Sequence, residues 1–326
     1  MAGAVAAWSL LLLPRGARRA VALGACVRAL EVSVRLAAEK RLLPTVPHAD
    51  VALMSVASAR IMWCWLFNPD ALDPSYLAFV NRMGGKPISF LKAIPHVLSL
   101  RPPTNKLAEN LGRDRKKLNF PPLMPGDRLS IPAIMHPNQS VTGHFASYTR
   151  QGFLRALKVY LPVHLLPLLI FNPKAILHTP LASLVKMAEG VIRSSLFLAT
   201  YCSLGWLGLT VTFPLAQSFN PNPLLPLGQN VTKLAGTTAG GLCALALLFE
   251  KQGRRIELAL YCTTQAIRTV MNVGLKGGHG PVNRFMRHGE VALFSASWAL
   301  LMHAYTCHPT AMRRSYHRLL LRLFDT

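Results

Sequence analysis

The chain has 326 residues, of which 51% are hydrophobic and 15% charged, and its formal net charge is +23. Soluble domains carry about 25% charged residues, so this composition excludes an ordinary soluble globule and indicates a membrane protein with surplus Lys and Arg in its loops. A nucleic-acid binder can be as basic but not also as apolar, which excludes nucleic acid as a partner.

The apolar runs are long, rich in Leu and Ala, and lack period-2 alternation, so they predict helices. The first three lie at 4–13, 20–38 and 51–67. The run at 4–13 has its arginines after it and none before, which argues against a signal peptide. The second carries Arg28, Glu31 and Arg35, and Glu31 can reach both arginines along one helix face. The third carries Arg60. An ionisable group inside a bilayer marks a lumen, relay or substrate path, whereas a helix lying in the interface simply keeps its charges wet. Residues 81–135 hold ten Lys or Arg against three acids, with two Pro-Pro pairs and "RDRKK" at 113–117. The expectation there is a basic, Pro-containing loop at a membrane surface, with at most a short helix.

Further helices are expected at 154–171, 191–213, 234–249, 256–275 and 291–307. Pro162 and Pro167 predict a kink in the first of these. Residues 194–213 are free of charge, long enough to cross about 30 Å of hydrocarbon. Gly236 and Gly240 make a GxxxG, a place where two backbones can approach closely.

The chain also resembles itself. Residues 48–80 align without a gap on 288–320, with identities at eleven of 33 positions. These include His48/His288, Ser55/Ser295, Pro69/Pro309 and Tyr76/Tyr316, while Asp50 meets Glu290. The similarity extends to 1–80 against 237–320, with a few residues of slippage between about 20 and 47. The expected architecture is all-α, a polytopic helical membrane protein with about six to eight membrane-embedded helices and an internal tandem repeat. Residues 1–80 form a partial first unit, 81–135 the basic loop, and 136–326 a complete second unit. The missing front half of the first unit is either natural or a truncated start.

"PHAD" before an apolar helix that ends in "PSY", together with "HGEVALFSASWALLM", "GFLRALKVYLPVHLLPLLIF" and "VIRSSLFLATYCSLGWLGL", resembles the transmembrane protein 135 family, also called the 52-kilodalton peroxisomal membrane protein family. More remotely it is similar to the Tim17/Tim22/Tim23 group. The resemblance implies a non-enzymatic membrane protein of peroxisomes, linked also to mitochondria, that acts in organelle dynamics and lipid or sterol homeostasis. Its implied partners are membrane lipids, a sterol or fatty-acid cargo, and a second copy or another organelle membrane protein. Relatives place cysteines around the stretch that here reads "MHPNQSVTGH", so thiol chemistry there is not carried over.

The candidate functional polar residues are Glu31, Arg60, His48, Asp50, His288, Glu290, Tyr76 and Tyr316. Each His with its acid two residues on could bind a metal, relay a proton or grip a head group. The favoured reading is structural: an acid in a first turn complements the helix dipole, and Asp and Glu exchange freely in that role. Tyr76 and Tyr316 read as interfacial anchors with wet hydroxyls. His136 and His144 lack a third ligand for zinc, and no CxxC, nucleotide loop, HExxH or GxSxG occurs. No catalytic, cofactor-binding or metal residue is assigned, and alternative readings are a transporter or pore for lipid or small solutes and a mitochondrial inner-membrane translocase-like protein.

Overall fold

The computed structural model describes residues 10–44, 46–98, 103–122, 130–137, 139–171, 178–218, 229–276, 281–313, 316–317 and 320–321. Among these every regular element is a helix. The chain divides into two compact units, one formed by 1–49 with 270–326 and the other by 50–269.

In the first unit, helix α1 (Arg15–Glu39) packs against α11 (Pro281–Cys307), which runs on into a 3-10 turn at Pro309–Ala311. Val32, Ala304, Ala311, Met312 and Leu320 form one buried cluster, and Leu10, Ala22 and Phe294 another. Arg19 pairs with Glu290 at 3.2 Å.

The larger unit begins with α2 (Ala49–Phe67) and a 3-10 turn at Pro69–Ala71. The next helix, α3 (Pro74–Gly84), has conventional ends. Asp73 caps it by accepting the Ser75 amide, Pro74 occupies its first position, and Gly85 closes it at φ +57°. Residues 81–135 are not the expected loop. They fold as α4 (Ile88–Leu98), α5 (Asn105–Lys117) and α6 (Ile131–Met135) around Phe90, Ile94, Leu111, Ile131 and Ile134, all buried. Prolines misled the sequence reading. Pro95 is taken inside a helix and Pro132 sits in a first turn, where no amide is needed. Arg115 of "RDRKK" is buried: its guanidinium donates twice to the Pro121 carbonyl and once to that of Ala133. These bonds tie the end of α5 to α6.

Two long helices follow, α7 (Val141–Phe171) and α8 (Pro180–Ser218), packed along each other. Pro162 and Pro167 lie within α7 without ending it. Thr149 donates to Ser203 across this pair at 2.8 Å. Then come α9 (Gln229–Leu242), a 3-10 stretch at Cys243–Phe249 and α10 (Gln252–Lys276). Both glycines of the GxxxG face α2. A side chain at Gly240 would stand 2.6–2.9 Å from Met62 Cβ, the Ser58 carbonyl and Ala59 Cα, while one at Gly236 would meet the Phe67 ring at 3.2 Å. The helices touch almost backbone to backbone at Gly240, as the motif predicts.

Among the described residues three helical stretches are long and apolar enough to cross a membrane: Ala49–Phe67, Val141–Ile170 and Pro180–Thr212. The expectation was about six to eight embedded helices. The difference lies in helices such as α1 and α10, which are long enough but carry charges along their length, Arg28, Glu31 and Arg35 on one and Arg254, Arg255, Glu257 and Arg268 on the other.

Candidate functional site

Polar side chains gather at one end of the α1–α11 pair. Glu31, with its side chain 7% exposed, holds three arginines. Its Oε2 accepts from Arg28 at 3.1 Å, and its Oε1 accepts from Arg35 at 3.1 Å and from Arg313 at 2.7 Å. The first two pairs follow from helix spacing. Arg313 comes from 282 residues away and could not be read from the sequence. The Arg28 guanidinium also lies over the Tyr316 ring at 4.8 Å. Tyr316 is therefore a platform for a cation within the protein, a role beyond the expected interfacial anchor.

Beneath this cluster is a cavity of about 210 Å³ with almost wholly apolar walls, among them Gly24, Val32, Trp298, Leu301 and Met312. Arg28, Glu31, Arg35 and Arg313 line it as well. A side chain added at Gly24 would meet nothing within 4 Å, so the glycine leaves this space open.

Some local geometries of the two units can be set side by side. The 3-10 turns recur at the 240-residue offset with nearly the same backbone angles: Asn68 at φ −148°, ψ 63° against His308 at −140°, 59°, and Leu72 at −79°, 148° against Met312 at −83°, 148°. Upstream the offset is 237. Arg18 Nε donates to the Leu13 carbonyl at 2.6 Å and its Nη2 to that of Leu11; Arg255 does the same to Glu250 at 2.9 Å and Leu248 at 3.0 Å. At matching positions the ion pair is inverted. Arg313 meets Glu31 in one unit, and Asp73 meets Arg268 at 3.9 Å in the other. Gly24 then corresponds to Tyr261, whose ring packs edge-on against Tyr76 at 6.2 Å. Burial pushes the Tyr76 hydroxyl well above its ordinary pKa.

The remaining expected residues are separate. Arg60 donates to Thr269 at 3.0 Å and stacks over Trp63 at 4.7 Å. Asp50 stands in the first turn of α2, where its carboxylate accepts the Val51 amide at 2.9 Å. His48 is exposed with φ +56°. Glu290 is committed to Arg19, and the His288 side chain lies outside the described residues. The His48–Asp50 motif thus begins a helix.

Two clusters were not legible. His136 and His144 stack at 4.4 Å, and Lys86 donates to the Met135 carbonyl at 3.0 Å. Lys86 and Arg155 both lie over the Tyr148 ring, whose hydroxyl donates to the Gly84 carbonyl and accepts from Trp206. Burial and the neighbouring Arg155 hold the Lys86 ammonium down to about 8. Elsewhere Ser194 donates to Glu250 at 2.6 Å, with His164 at 3.5 Å and Arg254 at 3.1 Å. The three residue types of a hydrolase are present, and here the short bond of the serine hydroxyl goes to the carboxylate. Among the described residues no group of three or more His, Cys, Asp or Glu is placed to hold a metal, and six cysteines are free thiols.

Comparison of the chain with protein-family models, curated proteins and solved structures finds no match.

Proposed function

We propose that the chain is a polytopic integral membrane protein of peroxisomes, acting without catalysis in organelle dynamics and lipid homeostasis, and built from two copies of one helical unit. The observation that carries the architectural part is the recurrence of three independent local geometries: the arginine clasp of Arg18 and Arg255, the 3-10 turn after each apolar helix, and the inverted ion pair. A bonding pattern and a compensated charge reversal that recur together support this reading. Membrane placement is supported by the three described helices of sufficient length and apolarity, with α1, α10 and α11 added as embedded helices. The organelle and the lipid role rest on the sequence resemblance.

The test is imaging of the tagged full-length chain against peroxisomal and mitochondrial markers, with carbonate extraction. Carbonate-resistant peroxisomal signal supports the proposal, and a purely mitochondrial signal replaces it with the translocase-like reading. A soluble signal overturns the membrane placement. A second reading, a pore or transporter, draws on the half-buried Arg60–Thr269 pair beside an apolar helix. It requires that Arg60→Leu abolish solute flux in vesicles while the protein still folds.

A further inference from the structure

We propose that Lys86 and Arg155 bind a phosphate monoester at the level of the membrane head groups. The inference deepens the lipid-handling reading by naming a site and a ligand class, and it rests on that reading. Two cations share one aromatic ring here. The Lys86 ammonium stands 5.5 Å and the Arg155 guanidinium 5.2 Å from the centre of the Tyr148 ring. Among the described residues neither cation forms an ion pair. Lys86 gives one of its three donors to the Met135 carbonyl. Arg155 is less well served: its Nε and Nη2 are shielded from water and find no acceptor. Those two atoms form the fork that grips two oxygens of one oxyanion. The other titratable groups around the ring are the His136–His144 stack and the Cys202 thiol, which supply no anion at neutral pH. Half-buried like charges without a counter-charge are completed by an anion. A phosphate monoester carries about −1.5 to −2 at neutral pH, which matches two cations.

The place of the pair on the fold points to head groups. Most polar residues of α7 fall within 141–152, and 153–171 are mainly apolar. The candidate span on this helix is hardly covered by the rest of the protein, so its apolar stretch faces lipid. Arg155 stands where that stretch begins. Lys86 belongs to the segment that joins two candidate spans, α2 and α7, and so lies on a single side of the bilayer. Gly85, at φ +57°, has no side chain where the guanidinium lies, which brings Arg155 up beside Lys86. The same phosphate chemistry is offered by a phosphatidic acid head group and by inorganic phosphate.

The test reads the Lys86 amine directly. The full-length chain, delipidated in a neutral detergent and free of phosphate buffer, is briefly treated with acetic anhydride at about pH 8, and acetylation is counted lysine by lysine. The unliganded amine, held at about 8, is then half neutral and reactive. A phosphate that lifts it by about one unit cuts the reactive fraction about fivefold. Dioctanoyl phosphatidic acid is expected to give that protection at Lys86 and none at the exposed Lys158 on the same helix. Protection by inorganic phosphate at the same concentration assigns the site to free phosphate; protection by the lipid alone assigns it to a head group. Arg155→Gln should abolish the protection, measured against its own unliganded rate, Arg155→Lys should keep part of it, and Lys158→Gln should leave it intact. The site is overturned if neither phosphate protects Lys86, if dioctanoylglycerol protects it equally, or if Arg155→Gln with an unchanged thermal melt is still protected. Those results leave the localisation test untouched. A chain that resides elsewhere in the cell but is protected as expected keeps the site and loses the organelle assignment.

Discussion

Substituting the two glycines of the GxxxG separately by alanine tests the packing of α9 on α2. A sequence motif treats Gly236 and Gly240 as equal partners, and the structure does not. At Gly240 the new methyl stands under 3.0 Å from Met62 Cβ, from a carbonyl oxygen and from a Cα. Backbone cannot swing aside, so the helices must separate. Overpacking of this kind costs about 1–3 kcal/mol, and a contact with two backbone atoms belongs near about 3. The gain in helix propensity from Gly to Ala returns about 1 kcal/mol. The net loss for Gly240→Ala is then about 2 kcal/mol, or a fall in Tm of roughly 4–8 °C for a body of this size. At Gly236 the methyl meets the edge of the Phe67 ring at 3.2 Å, and a ring can tilt. Gly236→Ala should therefore be within about 0.5 kcal/mol of the parent, the propensity gain offsetting the contact. The assay is thermal unfolding of the purified, detergent-solubilised chain and both variants. Equal melting temperatures, or a Gly240→Ala variant more stable than Gly236→Ala, would refute the inferred helix approach.

Lys86 should make stability depend on alkaline pH. Its pKa in the fold is held at about 8, against 10.5 for the free side chain. Between those values the unfolded chain binds the extra proton, so stability rises with pH by up to about 3 kcal/mol and is flat below 8 from this group. The difference between the parent and Lys86→Met across pH 7.5–10.5 measures it, and parallel curves count against the burial of this amine. Arg115→Met should loosen α5 and α6, because it removes three bonds to two carbonyls, a loss of about 2–4 kcal/mol. Faster amide exchange across 105–135 reports it, and unchanged protection contradicts the bridging role. Glu31→Gln leaves three arginines facing one another and should destabilise the α1–α11 pair by about 3 kcal/mol. The loss should ease as salt rises; a salt-independent effect points to packing instead of charge.

Much of the helical architecture was legible, since runs such as 51–67 and 194–213 have only one conformation that satisfies their backbone in an apolar setting. The chain's similarity to itself is plainest at the tight turns, at Pro69 and Pro309, and weaker where the offset slips from 240 to 237. Segment 81–135 was misread because proline usually breaks helices, and here Pro95 and Pro132 are accommodated. Of the site, the sequence offered Arg28, Glu31 and Arg35 by their spacing. It could not offer Arg313, brought in from the far end of the chain, or the open space beside Gly24, which exists only once α11 is in place.

The division of the chain sets an order on biosynthesis. The unit formed by 50–269 is continuous and can close as soon as those residues have left the ribosome. Helix α1 is made first, yet the residues that bury Ala22 and Val32, among them Phe294, Ala304 and Met312, are made last. Throughout synthesis of the intervening segment, Glu31 waits without Arg313 and the apolar face of α1 waits without its cover. The apolar face of the first helix therefore needs shelter until the last one arrives. A stop codon after residue 270 would spare the larger unit and leave α1 permanently exposed, marking the product for degradation.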